Sequence, residues 1–237
     1  MTVIILWENG ALLYTHGLIS SIENVMYRDR REELVKKLKI EGRIFTKDVE
    51  KAFLEIPREE FVPVTIKDRA YIDMPLEIGN GQTISAPHMV AIMCEALDIK
   101  KGQMILEIGA GSGYHAAVVS KLVGEKGHVY TIERFSSLAE NAKKNLENVG
   151  ITNVTVEVGD GSMGLSKYAP YDCIYVTCAA PNVPSPLLEQ LKNRGKLLIP
   201  VGRYVCDLDL LEKKDGKIVS KNLGGCAFVP LVGKYGY

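Results

Sequence analysis

Glu107-Ile-Gly-Ala-Gly-Ser-Gly113 decides how this chain is read. The apolar run Met104–Ile108 before it predicts a strand, and Tyr114–Val123 after it predicts a helix. The glycines at 109, 111 and 113 therefore fall where the backbone turns from strand into helix. A side chain there would obstruct both the turn and the approach of a ligand.

Outward from this loop the strand–helix rhythm repeats. Strand His128–Ile132 leads to helix Ser137–Val149, which carries Leu138, Ala142, Leu146 and Val149 on one side and stops at Gly150. Strand Val154–Val158, strand Asp172–Thr177, helix Ser185–Leu191 and strand Lys196–Pro200 follow. Such alternation predicts an α/β fold with a doubly wound, mostly parallel sheet. The C-terminal part changes character. Leu208–Glu212 and Lys217–Lys221 flank Asp215-Gly216 and read as an antiparallel hairpin, with Cys226–Leu231 as one more strand.

Toward the N-terminus, Ser85 reads as a helix N-cap with Pro87 in the first turn, and Met89, Ile92, Met93, Ala96 and Leu97 as one apolar face. Residues 58–81, with Pro63 and Pro75, read as irregular. Thr46 caps a helix from Asp48 to Leu54 that Pro57 ends, and Tyr27–Leu38 has helical spacing at Leu34 and Leu38. Residues 1–25 show no clear period. Two readings stay open for them: an added N-terminal strand or arm, or a start assigned too early, with Met26 the true one.

Lys+Arg and Asp+Glu are both 29, a formal net charge of zero, which argues against a nucleic-acid backbone as the main partner. The five cysteines, an odd number with no C-x-x-C pair, argue for reduced thiols rather than disulfides or a metal site. Thr2-Val-Ile-Ile-Leu-Trp7 is apolar but too short to span a bilayer and lacks a basic leader. The expectation is a cytoplasmic protein with no membrane partner, no metal and a monomeric state.

The chemistry lies at three successive strand ends. A dinucleotide fingerprint G-x-G-x-x-G needs glycine at 114, where this chain has Tyr114. The spacing is G-x-G-x-G, preceded by the acid Glu107, and this favours a nucleoside with a cationic methionine tail: S-adenosylmethionine. Glu133, twenty residues past Gly113, can accept both ribose hydroxyls. Asp160, between Gly159 and Gly161, can accept from the adenine amine while its neighbours leave room for the ring. Asp-Gly is also a common turn pair, but three suitable strand ends in a row point to a ligand.

The resemblance then narrows. Gly81-Gln-Thr-Ile-Ser-Ala-Pro-His-Met89, Leu106-Glu-Ile-Gly-Ala-Gly-Ser-Gly-Tyr114 and Gly159-Asp-Gly161 resemble the protein-L-isoaspartate O-methyltransferase family. So do Arg58-Glu-Glu-Phe-Val-Pro63, Ala169-Pro-Tyr-Asp172, Ile199-Pro-Val-Gly202 and Phe228-Val-Pro-Leu231. The glycine loop alone fits any class I methyltransferase; Thr83-Ile-Ser-Ala-Pro-His88 is what narrows the family. The resemblance implies methylation of the α-carboxylate of L-isoaspartyl residues in damaged proteins, with D-aspartyl residues as further candidates. S-adenosylhomocysteine is the product, and the ester closes to a succinimide whose hydrolysis returns some aspartate. It also implies Ser85 as the active-site serine on the substrate carboxylate and Val229 on the substrate side. Thr83, Ile84, His88, Glu107, Gly109, Ala110, Gly111, Gly113, Glu133, Asp160 and Gly161 become the cofactor set, with a structural role for His88 equally open. The expected organisation is an extension over 1–25, a helical substrate-side region over 26–80 and the cofactor-binding domain over 81–237. Cys173 and Cys178 depart from the residues common in the family, Arg and Ala, and read as repacking.

Three rivals are weaker. A methyltransferase acting on amino groups of RNA or small molecules often carries Asn/Asp-Pro-Pro-aromatic, which does not occur here. A nicotinamide oxidoreductase is disfavoured by Tyr114. A non-catalytic binding protein is disfavoured by the intact Ser85 element.

Overall fold

The computed structural model describes residues 11–203 and 205–237, with side chains from Val25 onward. Helix α1 (Ala11–Ile40) runs through Met26 without a break, so residues 11–25 form helix and not the strand that is one of the readings above. Residues 1–10 lie outside the described ones. Leu34, Val35 and Leu38 bury the inner stripe of α1. Helix α2 (Lys47–Glu55) starts at the Thr46 cap, whose Oγ1 accepts from Val49 N at 3.4 Å.

The stretch 58–81 is more ordered than its prolines suggest. It contains two short 3-10 turns, Arg58–Phe61 and Val64–Arg69. A small hairpin then joins β1 (Leu76–Gly79) to β2 (Gln82–Ile84). Asn80-Gly81 makes its turn with φ of +53° and +66°, the left-handed pair that a two-residue hairpin needs. Helix α3 (Pro87–Leu97) follows, but its N-cap is Ala86 with no side-chain bond, so Ser85 does not cap it. The buried residues of α3 include Val90, Ala91, Met93, Cys94 and Leu97, while Met89, Ile92 and Ala96 are half-buried. The helix is thus enclosed on a broader face than the one expected.

The main domain then runs β3 (Met104–Ile108), α4 (Tyr114–Val123), β4 (His128–Glu133), α5 (Ser136–Asn148) and β5 (Val154–Val158). After it come β6 (Tyr171–Val176), α6 (Ser185–Glu189), β7 (Leu191–Gly202), β8 (Cys206–Lys214) and β9 (Lys217–Cys226). Helix α6 ends earlier than expected because Leu191 already pairs with Tyr171. Cys226 closes β9, and 227–231 is no strand: it is extended chain held by one bridge, Pro230 to Ala179.

The strands order as β5-β4-β3-β6-β7-β8-β9. The first five are parallel, and β8 and β9 are antiparallel. Neighbouring residues of the central strands face two different cores. Ile105, Cys173 and Tyr175 join one; Leu106, Ile108, Ile174 and Val176 join the other. Burial on both faces is why these strands read as unbroken apolar runs. Each fully buried Leu or Ile there contributes ~1.5–3 kcal/mol by leaving water. The chain winds outward from β3 through β4 to β5, then returns to β6 on the other side of β3. That reversal opens a crevice at the carboxyl ends of β3 and β6.

Candidate active site

The crevice is a cleft of about 750 Å³, its open mouth included, and the glycine loop forms its floor. Gly109 has φ of +94°, and a Cβ there would run into Thr177 Oγ1. That hydroxyl donates to the carbonyls of Ile108 (3.0 Å) and Gly109 (2.7 Å), pinning the loop to the end of β6. Gly161 is equally close-packed: a Cβ would sit 2.5 Å from Ile108 Cγ2. The loop delivers the chain to the N-terminus of α4, whose free N–H groups and dipole favour negative charge.

Two acids face this floor. Glu133, at the end of β4, accepts from Gly111 N at 2.9 Å and from Phe135 N at 3.1 Å, one on each oxygen. A carboxylate has about four acceptor positions, so two remain for a ligand. Glu107 is fully buried. Its Oε2 accepts from Thr131 Oγ1, while Oε1 has no hydrogen-bond partner among the described residues. Burial pushes its carboxyl up to about 8, against the pull of the Thr131 hydroxyl and the Tyr175 phenol and with reinforcement from Glu133.

Two further walls close the cleft. One is Gln82-Thr-Ile-Ser85, the second hairpin strand and its continuation. The other is the tail Val229–Val232, held by Ala179 N on Val229 O (2.8 Å) and Leu231 N on Ala179 O (2.7 Å). Thr83, Ile84, Ser85, Glu107, Gly109, Ala110, Gly111, Glu133, Gly161 and Val229 therefore line one cavity.

Three expected residues are not among those lining it. Gly113 is the N-cap of α4, packed against Ala142. His88 turns toward Asp73, whose Oδ1 meets both its backbone N and its Nδ1 at 2.9 Å. Asp160 is taken by the chain's own end: Oδ2 accepts from Lys234 N at 2.8 Å, and Oδ1 accepts from Ser162 N (2.9 Å) and Ser162 Oγ (2.6 Å). Desolvation works against it, but the N–H groups of Lys234 and Ser162 and the Ser162 hydroxyl hold the Asp160 carboxyl below its ordinary range.

Sequence reading missed Thr177 and Cys178, which also line the cleft. The signal was available, since both sit just past the carboxyl end of β6, at the switch point. Cys178 is thus a wall residue of the cleft and not only part of the core packing. Tyr114, Pro230 and Leu231, which fall within the family motifs, line it as well, as do His115 and Val232, which no motif announces.

Fold and cleft together define a class I, S-adenosylmethionine-dependent methyltransferase. The family model of protein-L-isoaspartate(D-aspartate) O-methyltransferase matches residues 29–236. The chain belongs to that family. It is 56% identical over 208 residues to the protein-L-isoaspartate O-methyltransferase of Methanococcus aeolicus, covering 88% of this chain and 96% of the relative. It is 54% identical to that of Methanosarcina mazei, covering 89% and 88%. Among solved structures, a protein-L-isoaspartate O-methyltransferase shares 38% identity with a TM-score of 0.79, covering 87% of this chain and 67% of that one. A Plasmodium falciparum protein of the same description, in complex with S-adenosyl-L-homocysteine, shares 28% identity with a TM-score of 0.78, covering 85% and 98%.

Proposed function

We propose that this cleft transfers the methyl group of S-adenosylmethionine to the α-carboxylate of L-isoaspartyl residues in damaged proteins, with D-aspartyl residues as further substrates. The ester then closes to a succinimide outside the enzyme, and hydrolysis returns some aspartate. The observation that carries this reading is the meeting of Ser85 with the glycine loop, Glu107 and Glu133 in one cleft.

The residues present suit the cofactor. Gly109 and Gly161 let the cleft floor pack closely on Thr177 and Ile108, and Glu107 offers an unpartnered buried oxygen to a cation. When bound, S-adenosylmethionine supplies a methyl group on a sulfonium whose departure leaves a neutral thioether. The acceptor carboxylate is already ionised at neutral pH, so no base is required of the chain. What its residues do is place and desolvate. Glu107 receives the amino-acid end of the cofactor, and Glu133, oriented by Gly111 N and Phe135 N, receives the ribose. The Ser85 hydroxyl directs the substrate carboxylate. Val229–Val232 keep water from the substrate side.

Residues 26–80 serve as the substrate-side region, continuous with α1, and residues 81–237 as the methyltransferase domain. The free state of Cys94, Cys173, Cys178, Cys206 and Cys226 supports a cytoplasmic setting. No helix of the described residues is long and apolar enough to cross a membrane. The proposed working state is the monomer.

The test compares an isoaspartyl peptide with its aspartyl twin, using labelled S-adenosylmethionine. Label enters the first and not the second; equal labelling of both, or of neither, sinks the reading. Ser85→Ala lowers turnover by roughly tenfold or more, as expected for a positioned group worth ~1.4 kcal/mol or more in the transition state, with cofactor affinity little changed. The reverse pattern removes Ser85 from the substrate.

A further inference from the structure

Arg58 is completely buried, and its position is unusual for a cation. Nε donates to Ala70 O at 2.8 Å and Nη2 to Ser85 O at 2.8 Å. The guanidinium carbon lies 4.7 Å from the centroid of the Tyr114 ring. Nη1 has no hydrogen-bond partner among the described residues. Tyr114 is the first residue of α4, directly after the glycine loop, and it lines the cleft. One planar side chain thus touches both the main chain of Ser85 and the helix that carries the cofactor loop.

We propose that Arg58 is a positioning residue for methyl transfer, fixing the Ser85 main chain against the first turn of the glycine-loop helix. The inference rests on the reading of Ser85 given above. Its support is energetic as well as geometric. Burying a guanidinium against two carbonyls and a ring, with a donor left over, costs several kcal/mol that an apolar residue of similar volume would avoid. Arg nevertheless supplies what an apolar residue cannot: a rigid fork that fixes two carbonyls while its face stacks on an aromatic ring. The fork is braced from behind. Glu59, the next residue, accepts from Arg31 Nη2 of α1 at 3.1 Å and from the Tyr71 hydroxyl. Arg31 also donates to Leu54 O at 3.0 Å, at the end of α2. The N-terminal helices therefore act on Ser85 through Glu59 and Arg58.

The test measures turnover of an isoaspartyl peptide per cofactor-binding site, counted by S-adenosylhomocysteine titration so that unfolded protein drops out. Arg58→Lys is expected to lower kcat per site at least tenfold, with peptide KM and cofactor affinity within threefold of wild type. Lys39→Met serves as a control: it loses an exposed ion pair with Glu50, away from the cleft, and keeps kcat per site within threefold. Wild-type kcat per site in Arg58→Lys overturns the proposal. Should Arg58→Lys not fold, Arg58→Gly with added guanidinium decides. Restored turnover supports the proposal, whereas restored folding without turnover, or no rescue at all, makes Arg58 a scaffold residue and overturns it. Ser85→Ala separates the two readings. If it lowers turnover while Arg58→Lys does not, only the positioning claim falls. If wild-type protein leaves the isoaspartyl peptide unmethylated, the function itself falls.

Discussion

Glu107 makes cofactor binding depend on pH in a way that can be worked out beforehand. Its carboxyl is fully buried and pushed up to about 8, so in the empty cleft it is protonated below that pH. A cationic α-ammonium arriving beside the free oxygen favours the carboxylate and expels that proton. The ligand amine belongs to a free amino acid, whose own carboxylate keeps the ammonium charged up to about pH 8 and beyond. Tight binding needs both groups charged, so affinity rises from pH 6 to pH 8 as Glu107 ionises. At pH 8 about half of Glu107 is in the required form; at pH 6 about one-hundredth is. The ratio predicts binding about fiftyfold weaker at pH 6 than at pH 8, ~2 kcal/mol, with about one proton released per ligand at pH 6.5. Calorimetry of S-adenosylhomocysteine in buffers of different ionisation enthalpy measures both quantities. Methylthioadenosine, which lacks the amino-acid end, is the control and should bind without this dependence. A flat affinity from pH 6 to 8 with no proton release refutes the reasoning, because Glu107 would then be ionised already or distant from the ammonium. The same burial has a cost in the empty protein. The folded state prefers the neutral acid, so stability declines as pH rises from the ordinary carboxylate value toward 8. Integrated over that window the loss reaches ~5 kcal/mol as an upper bound. Glu107→Gln should therefore melt higher than wild type at pH 8 while binding the cofactor worse.

Two more outcomes follow from the same geometry. Gly109→Ala puts a methyl group on Thr177 Oγ1 at φ of +94°; the backbone strain alone costs ~1–2 kcal/mol, and cofactor affinity should fall at least tenfold with a lower melting temperature. Unchanged affinity would mean the loop can shift without disturbing the ligand. Asp160→Ala releases Lys234 N and the Ser162 hydroxyl, so peptide KM should rise and the C-terminal residues should become protease-sensitive, with cofactor affinity changing less than threefold. A large loss of cofactor affinity with a protected tail would return Asp160 to the adenine side.

What was legible in the sequence was whatever repeats. The strand–loop–helix unit from Met104 to Val123 follows from two local periods and a glycine turn, and its bounds are those of the structure. The hairpin at Asn80-Gly81 is equally local, but Pro63 and Pro75, both upstream of it, hide a strong turn signal. Pairings at long range were out of reach. Ser85 reads as a cap because serine before proline often is one; nothing nearby in sequence says that its carbonyl is held by Arg58, 27 residues away.

Asp160 shows most clearly why a motif can place a residue and still leave its partner open. A strand-end acid between glycines has an available carboxylate, and any donor that reaches it first satisfies it. Here the donors are Lys234 N and, through Ser162 Oγ, Tyr235 N, which come from the last residues of the chain. Gly233 makes the approach possible, since a Cβ there would collide with Asp160 Oδ1. The acid and the tail glycine are therefore two halves of one contact, 73 positions apart. Because that tail also supplies Val229–Val232 to the cleft, an acid that looks like a nucleoside ligand ties down the chain just beyond the wall proposed for the peptide. Asp160 is then proposed to act on the substrate side with Ser85 and Arg58, and the peptide-KM effect of Asp160→Ala is the measurement that separates this assignment from the adenine one.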